Sequence, residues 1–232
     1  MDNRAFDRNE LLLGRAGVEL LAKARVILFG VGGVGSWCAE ALVRSGVGHL
    51  VVVDNDVVCE TNINRQLQAT FPNLGRSKVE ALKERLLQIN PQVQVDAVAQ
   101  LYNLESSTEF DLGSYDYVID AIDSLSHKVG LIAQAMESGT TLFSAMGAAC
   151  KLDPARIRTA SIWETQGCKL ARVVRKRLRR RGVEGDCLCV YSEELIESRE
   201  EGVHGSMVHM TGIFGFQLAG LVVQDVYRRS GE

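Results

Sequence analysis

The sequence predicts an α/β fold: a doubly wound, mostly parallel sheet of Rossmann-like kind with a C-terminal strand/helix extension. Three observations predict it. Short apolar runs recur at 25–29, 49–53, 117–121 and 140–144. The stretches between them have helical periodicity, the alternation that builds parallel βαβ units. The first run leads into Gly30, Gly32 and Gly35, spaced G-x-G-x-x-G.

Strand 25–29 comes first, then a helix over 35–45. Strand 49–53 ends at Asp54. An amphipathic helix spans 76–89, with Val79, Leu82, Leu86 and Ile89 on one face. The run 93–98 alternates as a strand does. Strand 117–121, a helix over 126–137 and strand 140–144 follow. After Pro154 the order changes to a strand at 156–162, a helix at 168–181, a strand at 188–191 and a closing helix at 209–227. The 232 residues are expected to form one domain, with 1–150 a nucleotide-binding core and 151–232 a substrate and dimerisation part.

Composition excludes several classes of function. Hydrophobic residues make up 46% and charged residues 24%, the mix of a soluble globular chain. A net charge of -3 and a pI near 5.9 leave room only for a local nucleic-acid site. Residues 1–10 are polar and are not expected to act as a signal peptide. The six scattered cysteines predict reduced thiols in a cytoplasmic protein. No C-x-x-C occurs, so no structural zinc is expected. The apolar stretch 207–223 contains His209, Gln217 and three glycines. It reads as a buried or dimer-interface helix, with membrane association through it as the alternative.

Glycines after a strand let the backbone approach phosphate oxygens, and the following helix N-terminus offers them free N–H groups. Asp54, at the end of the second strand, is placed to accept ribose hydroxyls. These residues alone do not distinguish NAD from ATP. The continuation does. Asn62, Asn64, Arg65 and Gln66 lie just past the acidic strand end. Cleavage between α- and β-phosphate requires cations at the leaving pyrophosphate, and Arg65 and Lys78 are suitable. Lys78 taken alone reads as an exposed helix lysine. Asp120 and Asp123 end a strand in VIDAID, where a carboxylate can hold Mg2+ on a triphosphate or cap the next helix.

The stretches GVGGVGS, DNDVVCETNINRQ, GRSKVEALKERLLQINP and VIDAID resemble the ThiF/HesA/MoeB family of adenylating enzymes, relatives of ubiquitin-activating enzymes. That resemblance covers residues 6–147. SAMGAACKLDP, CKLARVVRKRLRRRG and VYSEE are more similar to the branch that dehydrates threonylcarbamoyladenosine in tRNA. The resemblance implies that Gly30, Gly32, Gly33 and Gly35 face the nucleotide and Asp54 the ribose. Asn62, Arg65 and Lys78 would hold phosphates, with Gln66 beside them, and Asp123 would hold Mg2+. Arg8 matches an arginine lent to the partner subunit's site, which implies a homodimer. A monovalent cation, Na+ or K+, is implied near Gly147, and a cysteine-desulfurase system as a sulfur-transfer partner. The resemblance weakens over 199–206, so it does not define that wall of the substrate pocket.

Adenylation would activate a carboxylate with ATP, and a ureido group would displace AMP and close a ring. The basic segment 169–181 supports a tRNA partner. It holds eight Lys or Arg and no acid. With Leu170, Val174 and Leu178 inward, Arg172, Arg175, Lys176, Arg179 and Arg180 can face phosphates. The alternative is adenylation of the C-terminus of a ubiquitin-like sulfur-carrier protein. It shares every ATP residue, but that branch commonly carries paired C-x-x-C ligands and has little use for an arginine-rich helix. Cys168, Cys187 and Cys189 are candidate acyl or sulfur acceptors. A non-catalytic scaffold that binds nucleotide and RNA is a third reading, opposed by the set Arg65, Lys78 and Asp123.

Overall fold

A computed structural model of the chain describes residues 4–194, 196 and 204–231. Most of the weakly matching stretch 199–206 therefore lies outside the described residues. Seven strands form one sheet: β1 (Arg25–Phe29), β2 (His49–Val53), β3 (Gln94–Val98), β4 (Tyr117–Asp120), β5 (Thr141–Ala145), β6 (Ile157–Ser161) and β7 (Leu188–Ser192). Their order is β3-β2-β1-β4-β5-β7-β6. All neighbours pair in parallel except β6, which runs antiparallel to β7 at the edge. The order reverses between β1 and β4, and ligands bind at such a switch point, beyond the carboxyl ends of the strands.

Among the described residues six α-helices flank the sheet: α1 (Asp7–Lys23), α2 (Gly35–Arg44), α3 (Lys78–Ile89), α4 (Leu125–Ser138), α5 (Lys169–Arg180) and α6 (Val208–Arg229). The central strands are buried on both faces, so their sequences are unbroken apolar runs rather than alternating ones. In β1, Val26 and Leu28 join one core cluster, with residues of α1, α2, α3 and α6. Ile27 and Phe29 join the other, with residues of α4 and α5.

The closing helix α6 is buried along its length by Met210, Phe214, Leu218, Val222 and Val226. A Cβ at Gly215 would lie 2.5 Å from the Val34 carbonyl oxygen of the loop leading into α2, so α6 seats directly on that loop. Among the described residues no helix is long and apolar enough to cross a membrane.

Helix α1 is absent from the sequence reading. Gly14 (φ 69°) breaks its helical path, and Leu11 and Leu12 are 86% and 78% exposed. The buried set Leu13, Gly17 and Leu21 keeps helical spacing, but the glycine within it and the exposed leucines beside it blur the stripe in the sequence.

Candidate active site

The site begins where β1 ends. Gly30 turns the chain at φ 84°, and a Cβ there would lie 2.8 Å from the Ala121 carbonyl oxygen. A Cβ at Gly35 would strike the Gly30 carbonyl at 1.8 Å. Both glycines are therefore required by the loop itself. A Cβ at Gly32 would meet only Gln66 Nε2, at 3.8 Å, and one at Gly33 would meet Arg65 Cγ and Thr211 at 3.2 Å. Among the described residues, the N–H groups of Gly32, Gly33 and Val34 donate no hydrogen bond. Helix α2 has no side-chain cap. Free N–H groups at an uncapped helix start suit an anion.

Asp54 shapes this loop. Its Oδ2 accepts the Val31 N–H at 2.8 Å and its Oδ1 accepts the Asp56 N–H at 2.9 Å. Gln68 Nε2 donates to the Val31 carbonyl at 2.8 Å, so the loop is gripped on both sides of one residue. Asp56 in turn pairs with Lys78, Oδ2 to Nζ 2.7 Å. Lys78 is not the exposed helix lysine that its surroundings in sequence suggest. Its side chain is only 7% exposed, at the first turn of α3, where its backbone N–H donates to the Asp56 carbonyl.

The NINRQ segment closes the other side. Asn62 is buried, and its Oδ1 accepts the Cys59 N–H at 3.1 Å. Arg65 NH1 donates to the Thr61 carbonyl and to Asn64 Oδ1, at 2.8 and 2.9 Å. Trp37 Nε1 holds the Arg65 carbonyl at 3.0 Å. Asn64 Nδ2 donates to the Ser206 carbonyl at 2.9 Å, tying this segment to the approach to α6. Buried side-chain atoms without a partner among the described residues are Gln66 Oε1, Gln68 Oε1 and Ser77 Oγ. All three lie in the segments around the loop, and buried polar atoms require partners. The cradle and these orphans fit a nucleotide.

The two aspartates of VIDAID separate completely. Asp120 is fully buried, paired with Lys128 Nζ at 2.7 Å and accepting from Ser144 Oγ at 2.5 Å. Asp123 is exposed, with no hydrogen bond or ion pair among the described residues. Neither caps α4, whose N-cap position is Ser124 with no side-chain bond. Arg8, on α1, is exposed and likewise without a partner among the described residues.

Helix α5 buries Ala171, Val174 and Leu178, with Leu170 only partly covered. Arg172, Lys176, Arg177, Arg179 and Arg180 are exposed. Arg175, expected to face outward, turns inward instead. Its NH1 donates to the Thr165 hydroxyl and carbonyl and to the Ile162 carbonyl. Arg179 lies over the Trp163 ring, 5.4 Å from its centroid. Arg172, Val173, Arg175, Lys176, Arg179 and Arg180 border an open concavity of about 620 Å³. The loop after β5 joins this helix to the nucleotide side: a Cβ at Gly147 would touch Leu170, and the Cys150 N–H donates to the Gly205 carbonyl. Glu194 Oε2 accepts the N–H groups of Leu152 and Asp153. Its pKa is held below the usual carboxylate range by those bonds, Asp153 foremost.

The cysteines singled out by sequence are enclosed. Cys168 caps α5, its Sγ accepting the Ala171 N–H, and Cys187 and Cys189 are buried. Burial pushes the Cys189 thiol up. Cys59 is exposed and Cys150 half-buried. Sequence reasoning missed Asp56, Gln68 and Lys128. Asp56 was visible as the second acid of DND, but its pairing with Lys78 was not.

The family model described as ThiF matches residues 6–228. The chain is 43% identical over 189 residues to the tRNA threonylcarbamoyladenosine dehydratase of Bacillus subtilis (strain 168), covering 82% of this chain and 74% of that one. It is 39% identical over 174 residues to the protein of that name from Escherichia coli (strain K12), covering 75% and 65%. The crystal structure of E. coli tRNA N6-threonylcarbamoyladenosine dehydratase in complex with ATP superposes with a TM-score of 0.92 at 34% identity, over 98% of this chain and 96% of that one.

Proposed function

The chain belongs to the ThiF family, and on that premise we propose that it dehydrates threonylcarbamoyladenosine beside the anticodon of tRNA, driven by ATP. The substrate carboxylate attacks the α-phosphate and pyrophosphate leaves. The ureido nitrogen then attacks the acyl-adenylate, AMP leaves, and a ring has closed with net loss of one water. The chain supplies positioning and charge neutralisation.

Gly30, Gly32, Gly33 and Gly35 wrap the phosphates, and Asn62 and Gln66 line the loop. Asp54 commits one lone pair of each oxygen to the backbone, which leaves others for ribose hydroxyls. Arg65 and Lys78 neutralise the pyrophosphate, Lys78 by exchanging Asp56 for a phosphate oxygen. The free Asp123 carboxylate suits Mg2+, an ion usually held by one or two carboxylates plus substrate phosphates. When bound, that ion neutralises triphosphate charge. The same reading includes a homodimer that Arg8 crosses, a monovalent cation near Gly147, and a single domain working in the cytoplasm. A sulfur-transfer partner would meet Cys59 or Cys150, the two thiols that are not buried.

The observation that carries this reading is a glycine loop with free N–H groups, flanked by Arg65, whose Cγ lies against the Cβ position of Gly33, and linked to Lys78 through Asp56 and the Asp54 that grips the loop. Adenylation of a carrier protein would use the same arrangement but leave the basic face of α5 idle. The test is nucleoside mass spectrometry after incubating the protein with ATP, Mg2+ and tRNA bearing threonylcarbamoyladenosine. A product lighter by one water, with AMP and pyrophosphate, is expected. ADP as product, or an unchanged nucleoside, overturns the reading.

A further inference from the structure

The Asp120–Lys128 pair has no part in the chemistry above, yet both residues are fully buried. A buried ion pair is seldom worth more to stability than apolar residues of the same size, because both charges must be desolvated. Its bonds all converge on the carboxyl edge of the sheet. Lys128 Nζ reaches from α4 to Asp120 Oδ2 at the end of β4 and to the Ala145 carbonyl at the end of β5, at 2.7 and 2.9 Å. Ser144 Oγ adds a second bond from β5 to the same carboxylate oxygen. The other oxygen, Oδ1, accepts the Ile122 N–H at 3.0 Å. The carboxylate therefore sets the turn Ala121–Ile122.

That turn is a wall of the nucleotide loop. The Ala121 carbonyl oxygen is what a Cβ at Gly30 would strike at 2.8 Å, and Ala121 Cβ lies 3.3 Å from the Cβ position of Gly35. The Ala121 N–H donates to the Phe29 carbonyl at 2.9 Å, so the turn is stitched to the end of β1. One residue beyond the turn stands Asp123, which has no partner of its own among the described residues to orient it.

We propose that Asp120 and Lys128 are positioning residues for the nucleotide site: the pair locks the Ala121–Ile122 turn, which holds the glycine loop in shape and presents Asp123 to a divalent cation on the triphosphate. This rests on the nucleotide reading above. A pair that merely packed could be replaced by neutral groups of equal size without effect on the site. A pair that positions could not.

The test is ATP binding by titration calorimetry without tRNA, once with Mg2+ and once with EDTA. The variant is Asp120→Asn/Lys128→Met, which removes both charges and nearly conserves volume. Its thermal midpoint should stay close to the parent's. Its Mg2+-dependent tightening of ATP binding should fall by roughly tenfold, the lower end of what loss of a group orienting a metal ligand costs. Exchange of the Ile122 amide with solvent should also quicken. If the double variant does not fold, Ser144→Ala removes one bond to the carboxylate and should show a smaller drop in the same ratio. A folded variant with the parent's Mg2+ ratio and Ile122 protection overturns the inference while the nucleotide reading stands. A parent that does not bind ATP overturns both.

Discussion

Asp56 holds Lys78: a carboxylate 60% exposed closes on an ammonium only 7% exposed, 2.7 Å apart. Because Asp56 also lends its N–H to Asp54, the residue expected at the ribose and the residue expected at the phosphates are coupled through one acid that neither motif includes. On the function proposed above, Asp56 occupies, before ATP binds, the cation that would meet the triphosphate.

Lys78→Ala should leave the fold intact and lower the rate of pyrophosphate release by roughly 10²–10³, the usual loss when one charge-stabilising donor is removed. Asp56→Asn should act in the opposite sense on binding. The pair is exposed on the acid's side, where ion pairs are worth about 0.2–1 kcal/mol. Freeing Lys78 should therefore tighten ATP by at most a few-fold. Turnover of Lys78→Ala at the parent rate would remove Lys78 from the phosphate site.

Helix α5 should show a division of labour. Neutralising Arg172, Lys176 and Arg180 should weaken tRNA binding and flatten its salt dependence, by about 0.9 in log–log slope for each phosphate that is no longer neutralised. ATP affinity should stay as it was. Arg175→Gln should lower the thermal midpoint instead, because it breaks the ties to Thr165 and Ile162. Filter binding across a salt series, beside a melting curve, separates the two effects. An unchanged salt slope in the triple variant would make α5 an ordinary solvated face.

Arg8 can be tested by complementation between subunits. Arg8→Ala and Asp123→Ala should each be inactive as homodimers. After mixing and exchange, about half of the dimers are mixed. One site in each mixed dimer joins an intact Asp123 to the partner's intact Arg8, so roughly a quarter of all sites should recover. Absence of recovery, with exchange verified by tagged subunits, would confine Arg8 to its own subunit or exclude it from the site.

Glu194 gives a pH-dependent prediction. The N–H groups of Asp153 and Leu152 hold its pKa below the ordinary glutamate value of about 4.3. Its contribution to stability is therefore present above that value and is lost as pH falls through the depressed folded value. Glu194→Gln lacks the charge at every pH. Denaturant unfolding should show parent and variant well separated at about pH 7 and converging as pH falls below the depressed folded value. Equal separation throughout would mean that the loop 152–153 is held by other contacts.

Much of this protein is determined by its sequence alone. Most strand boundaries agree with the apolar runs to within a residue or so, because the central strands are buried on both faces and need continuous apolar sequence. The glycine loop is equally legible: Gly30 and Gly35 stand where any Cβ would collide with backbone, a constraint local enough to show as spacing. The resemblance to ThiF motifs implies Arg65, Lys78 and Asp123 as a set, a role that stays with the proposed function. What tertiary structure decided is which charges are paired within the fold and which remain free. Two aspartates three residues apart in VIDAID have opposite fates, since Asp120 meets Lys128 and Ser144 in the core while Asp123 passes beyond the sheet edge. Two arginines four residues apart on α5 also diverge, Arg175 turning inward to Thr165 and Arg179 lying over Trp163. Helix α1 is hidden because exposed Leu11 and Leu12 and the glycine in its buried stripe blur the pattern. The physical reason is common to these cases. Backbone preference and hydrophobic period act over a few residues, and a sequence displays them directly. The partner of a charge is chosen by which elements the sheet brings side by side, and only the folded chain makes that choice.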